Sequence, residues 1–109
     1  MNDKELADRV VALGVGKANQ IYPDGIGKFY QVDVDADWQT SVNESKFVRD
    51  WRVAGSLIEK VDATHVERCQ SSMWRAQIPW SGGGVKEEFD GSLPRAIIEA
   101  CCEALGESK

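Results

Sequence analysis

Apolar positions along the chain recur at two periods, and the switches between them mark its elements. Leu6, Val10 and Leu13 stand at i, i+4 and i+7, with Ala7 and Val11 beside them. That spacing makes one apolar stripe of a helix over residues 3–13. Asn2 stands in the N-cap position with Glu5 three residues on, as in a capping box, and Gly14 and Gly16 follow the end. Lys28 to Val34 reads KFYQVDV, rich in aromatic and β-branched residues, and predicts a strand after the Pro23-Asp24-Gly25 turn signal. Residues 35–43 read as a polar loop. A second helix is expected over 50–61, with room for an extra turn before it, on a stripe of Trp51, Ala54, Ile58 and Val61 widened by Leu57. Gly55 costs this helix about 1 kcal/mol relative to alanine, which suggests a close approach of another backbone.

A period of two then takes over. Residues 64–70 and 73–80 read as strands joined at Ser71-Ser72, and the second alternates Trp74, Ala76, Ile78 and Trp80 against Met73, Arg75 and Gln77. Ser81 to Gly84 is a glycine-rich loop, and 85–89 reads as a short edge strand. The last helix takes Ser92 as N-cap and Pro94 in its first turn, with Gly106 after its end. Ile97, Cys101 and Leu105, with Ile98, Cys102 and Ala104, form its buried side. The expected fold is α+β: an antiparallel sheet packed with three helices in the order α-β-α-β-β-α, as a single domain over residues 1–109.

The order and its blocks carry a resemblance. The run Asp50-Trp51-Arg52-Val53-Ala54-Gly55-Ser56-Leu57-Ile58-Glu59-Lys60, the hairpin segment Trp74-Arg75-Ala76-Gln77-Ile78, and Leu93-Pro94-Arg95-Ala96-Ile97-Ile98-Glu99-Ala100 together resemble the phage ABA-sandwich domain family. The amino-terminal helix and the Phe29-Tyr30 region fit it as well. The resemblance implies a phage or prophage origin and a central antiparallel sheet carrying helices. It implies no activity and supplies no catalytic residues.

Composition narrows the function classes. An apolar share of 42% with 28% charged residues is that of a folded chain, and 109 residues suffice for one core. The net charge is −5, with 18 acidic residues interleaved among 13 basic ones. Nucleic-acid binding draws on clustered Lys and Arg, so a nucleic-acid partner is not expected. No apolar run approaches the roughly 20 residues that cross a bilayer, so no membrane partner is expected either. The polar start at Met1-Asn2-Asp3 and an odd cysteine count with Cys101 and Cys102 adjacent lead to the expectation of a cytoplasmic protein without disulfides.

Candidate chemistry is sparse. Asp33, Asp35, Asp37 and Glu44 fall at positions 1, 3, 5 and 12 of a calcium-loop spacing. Position 6 of such a loop is a glycine, and here it is Trp38. His65 is the single histidine, and with Cys69, Cys101 and Cys102 it matches no standard zinc spacing. Gly14-Val15-Gly16-Lys17 lacks the first glycine and the Ser or Thr of a phosphate loop. No metal, cofactor or catalytic set is expected. Four tryptophans are many for this length. Trp51 and Trp74 fit core positions, whereas Trp38 and Trp80 lie in or beside loops. The residues expected to meet a partner are therefore Phe29, Tyr30, Trp38, Trp80, Gly82, Gly83 and Gly84. The expected function is that of a non-enzymatic phage accessory protein binding a host or defence protein. The alternative is a small-ligand protein, with a nucleotide held between aromatics and Lys or Arg. An enzyme of unknown class ranks third.

Overall fold

Why each segment folds as it does is visible in a computed structural model that describes residues 2–20, 28–61, 64–69, 72–79 and 84–107. Helix α1 (Asp3–Ala12) starts on Asn2, whose side chain accepts the Glu5 N–H. It stops in a left-handed turn: Gly14 has φ +90°, and the N–H groups of Gly14 and Val15 donate to the carbonyls of Val11 and Val10. The chain then enters β1 (Lys17–Gln20), which pairs antiparallel with β2 (Lys28–Gln31). β1 was not anticipated, since Lys-Ala-Asn-Gln has no strand character; its pairing makes it. Gly16 is the hinge of this junction. A Cβ there would lie 2.5 Å from the Gln31 carbonyl and 2.9 Å from the Phe47 ring, at φ +71°, so only glycine fits.

The expected strand over 28–34 ends at Gln31, and the loop after it holds a 3-10 turn (Trp38–Thr40) and an isolated bridge from Val42 to Tyr30. The extra turn before the second helix is a separate short helix, α2 (Glu44–Phe47), capped by Asn43. Helix α3 (Trp51–Ile58) begins on Asp50, which accepts the Arg52 N–H. The fold is α+β as expected, with four α-helices among the described residues rather than three. Its antiparallel strands divide between two sheets, β1–β2 and β3 (His65–Arg68), β4 (Trp74–Pro79), β5 (Val85–Asp90), the latter in the order β3-β4-β5.

Helix α4 (Leu93–Glu107) sits at the centre, packed on β4 and β5 and also touching α3 and α1. Ile97, Ile98, Cys101, Cys102 and Ala104 are buried and Leu105 packs on their edge, as the stripe predicted. Gly106 lies inside the helix rather than beyond it. The buried face of α3 is Val53, Ala54 and Leu57: Ala54 and Leu57 of the expected stripe are buried and Val61 packs on the core, whereas Trp51 and Ile58 are exposed. At about 100° per residue those two fall on the rim of the apolar arc, and Trp51 is 60% exposed. Trp74 is half-buried, with Arg68 stacked 5.8 Å from its ring centre.

One buried cation ties these parts together. The Arg95 side chain on α4 donates to Asp3 at the start of α1 (2.8 Å) and to Asp90 at the end of β5 (2.9 Å), and lies 3.5 Å from Glu99 one turn on. Asp3 also receives Arg49 at 2.9 Å. Burial pushes the Asp3 carboxyl up, but Arg95 and Arg49 outweigh it and hold the group below the usual carboxylate range.

Two stability outcomes follow from this packing. Replacing Arg95 with Leu strands buried carboxylates and should lower unfolding free energy by about 3–5 kcal/mol in urea titration; a loss under about 1 kcal/mol would show the network to be ornamental. Gly55 is exposed, and a Cβ built on it meets nothing within 4 Å, which corrects the close approach expected there. Gly55→Ala should therefore stabilise the protein by about 0.5–1 kcal/mol.

Candidate functional site

The three-stranded sheet has one covered and one open face, and strand alternation decides which residues go where. Ala76 and Ile78 of β4 are buried on the α4 side, so Arg75 and Gln77 point the other way. Their partners in register are Glu67 and His65 on β3, and Phe89 and Glu87 on β5. These side chains form a cross-strand network on the open face. Arg75 reaches Glu67 at 2.6 Å and Glu87 at 3.9 Å, Gln77 donates to Glu87 at 2.6 Å, and His65 stands 3.7 Å from Glu67. The Arg75 hydrogen bond holds the Glu67 carboxyl below its usual range.

Strand β5 is inverted with respect to ordinary amphipathicity. Lys86, Glu88 and Asp90 are its half-buried positions on the α4 side, and its apolar residues face out. Val85 is 52% exposed and Phe89 46% exposed. The reason is the register: Asp90 must meet Arg95, and Glu88 meets the acidic side of α4. A slip by one residue would reverse every side chain and break both contacts. Phe89 and Val85 thus stand at the margin of a charged network, on an edge strand, with Gly84 before them in a left-handed conformation (φ +108°).

The same register builds a carboxyl cluster. Glu88 faces Glu99 and Glu103 of α4; burial and hydrogen bonding to these two carboxylates push its carboxyl up to about 8. Glu88 is therefore a proton donor at neutral pH. On the same helix Cys101 and Cys102 are pushed up to about 12 by burial, which leaves both thiols unreactive.

The residues singled out from sequence are dispersed. Tyr30 is buried, stacked on Phe47 at 5.1 Å, and donates its hydroxyl to Asp8 at 2.8 Å, so it cannot meet a partner. This corrects its place in the docking set: its ring stacks on Phe47 in the core, and its hydroxyl finds an acceptor in Asp8. Phe29 is half-buried on β2. Gly84 is exposed at the margin of the open face. Trp80, Gly82 and Gly83 lie outside the described residues, as does the Trp38 side chain, whose backbone opens the 3-10 turn.

The aspartate loop is organised around a buried amide. Gln31, buried, donates its side-chain N–H groups to the carbonyls of Asp33, Ala36 and Asp37 (3.1, 2.5 and 3.2 Å) and accepts from Asn19 at 2.7 Å. Asp33 and Asp37 cap the N–H groups of Asp35 and Gln39. No group of three metal-type side chains occurs among the described residues. Beside this loop an open cleft of about 530 Å³ is lined by Gly14–Gly16, residues 32–34, and Ser56, Glu59 and Lys60 of α3 and its end. The glycines of the failed phosphate-loop pattern thus shape a cleft as well as a connection.

Val85, Phe89 and Arg75 were missed as site residues. Val-Lys-Glu-Glu-Phe-Asp does alternate, and an edge strand was expected there, but only the pairing with β4 and the Asp90–Arg95 bond reveal which side faces out. No protein-family model, no curated protein and no solved structure matches the chain.

Glu88 makes stability depend on pH with a definite sign. Its carboxyl is raised from 4.5 to about 8, so its contribution is full below 4.5 and is lost as pH rises toward 8, where the unfolded chain gives up the proton freely. The melting temperature should fall across that window. Glu88→Gln, which keeps the donor without the proton, should flatten the slope and melt higher than wild type at its upper end. An unchanged slope in that variant would remove Glu88 as the cause.

Proposed function

We propose that the protein is a non-enzymatic binding module whose open sheet face docks a partner protein. The observation that carries this reading is the inverted strand: β5 directs Val85 and Phe89 away from the core while charged residues face α4. Apolar side chains held outward by a fixed register suit coverage by another molecule, and an aromatic beside Arg75 is the type of group that anchors interfaces. Arg75, Glu67, Gln77 and Glu87 supply a polar rim whose positions are set before binding. The resemblance to the phage ABA-sandwich family supports a phage or prophage origin. On that reading the partner is a host or defence protein and the site of action is the host cytoplasm.

A second reading rests on a separate observation, the cleft at Gly14–Gly16. With Lys60 and Ser56 beside Asp33 and Glu59 it suits a small polar ligand of nucleotide type. A ligand that binds the folded state raises the melting temperature, so a nucleotide panel in a thermal-shift assay separates the two readings.

Phe89→Ser and Val85→Ser test the docking face. Both positions are exposed, so the melting temperature should stay within a few degrees of wild type. A protein retained from bacterial lysate by the wild type should be lost by Phe89→Ser with an affinity drop on the order of thirtyfold, equivalent to about 2 kcal/mol. Retention unaltered by both substitutions would sink the face as the binding surface.

A further inference from the structure

The three-stranded sheet ends on β3, and the backbone groups of that edge can be sorted. Cys69 donates its N–H to the Met73 carbonyl at 2.8 Å. Residues 69, 67 and 65 therefore turn their backbone groups toward β4, and Thr64, Val66 and Arg68 turn theirs outward. All four residues of β3 are exposed, Val66 to 39%, and no strand among the described residues pairs with the outward side. Such an edge is a template for another strand.

We infer that a second copy of this chain occupies it, β3 pairing antiparallel with β3 about a two-fold axis at Val66. The argument is charge complementarity. A strand that pairs with itself and continues its sheet must set one residue against its own copy. An axis at Glu67 places two carboxylates opposite each other, and an axis at His65 opposes two imidazoles. The axis at Val66 sets valine against valine and His65 against Glu67 of the second copy, twice. It also agrees with the backbone. The Val66 pair exchanges the outward N–H and carbonyl groups, and the His65–Glu67 pair falls at a non-hydrogen-bonded position, where side chains approach most closely. Glu67 keeps its 2.6 Å bond to Arg75 and receives an imidazole from across the junction. The product is a continuous six-stranded sheet ending on β5 at both sides, with its open face doubled.

The edge is only four residues long, so the dimer is weak, with a dissociation constant on the order of 100 µM. Sedimentation equilibrium should show a mass of 12.1 kDa at low concentration rising toward twice that value as concentration approaches roughly 1 mM. His65→Glu, which sets glutamate beside Glu67 of the second copy, should hold the single-chain mass throughout. Val66→Pro should do the same, because it removes an outward N–H that the single chain does not use. Should Val66→Pro fail to fold, His65→Glu at an exposed position decides alone. Register is tested in a Cys69→Ser background. Val66→Cys should oxidise to a linked dimer, since residues directly opposite stand about 5.5 Å apart at Cα, within disulfide reach. Glu67→Cys should not, because it faces His65 of the second copy. A single-chain mass at every concentration, doubling that survives both substitutions, or linkage through position 67 would each overturn the inference. Phe89→Ser should dimerise like wild type, so failure here leaves the docking face untouched, and failure there leaves the dimer.

Discussion

The buried guanidinium of Arg95 is the constraint around which the molecule is arranged. It has to be neutralised away from water, and the carboxylates that do so come from three places: the first turn of α1, the last residue of β5 and the next turn of its own helix. Satisfying Asp90 fixes where β5 ends. That in turn fixes the register against β4 and decides which side chains of β5 face α4. Glu88 is drawn into an acidic neighbourhood as a result, and holds its proton to meet the charge balance. The outward aim of Val85 and Phe89 is the far end of the same chain of causes.

Local signals were legible in the sequence wherever they were sufficient. The cap at Asn2, the glycine stop at Gly14, and the buried stripe of α4 through Ile97 and Cys101 need only neighbours within a turn, and each stands where the spacing put it. The strands of the second sheet were readable from β-branched and aromatic alternation. What could not be read was set by partners distant in sequence. β1 has no strand-forming residue types and exists through its pairing with β2. Tyr30 reads as a free aromatic in the sequence because Asp8 and Phe47, which hold it, lie elsewhere in the chain. The rim position of Trp51 depends on where α4 meets α3. The site suffered most, because which face of the sheet lies open is settled by pairing across strands and by the packing of α4 on β4 and β5.

The open face and the β3 edge use different parts of the sheet and impose different demands. A face offers side chains, so the specificity of the proposed docking face would lie in Phe89, Val85 and the fixed polar network beside them. An edge offers backbone, and its specificity lies only in which side chains sit opposite. β3 answers that with alternating imidazole and carboxylate across a central valine. β5 protects the other edge differently, by turning Lys86, Glu88 and Asp90 inward, a device that discourages strand addition there.

The bond between Asp3 and Arg95 spans 92 residues of sequence. On a ribosome adding roughly 5–20 residues per second, the first helix emerges on the order of ten seconds before the residue that anchors it. Asn2 and Glu5 can close its first turn at once, and β1 and α2 can pack on it next, but its contact with α4 and the bond to Arg95 wait until residues 93–107 are translated. The nascent chain therefore carries a partly uncovered apolar stripe until α4 follows it out. The amino-terminal half has contacts of its own among α1, β1, β2 and α2, so it can begin to fold as it emerges and is locked by Arg95 last.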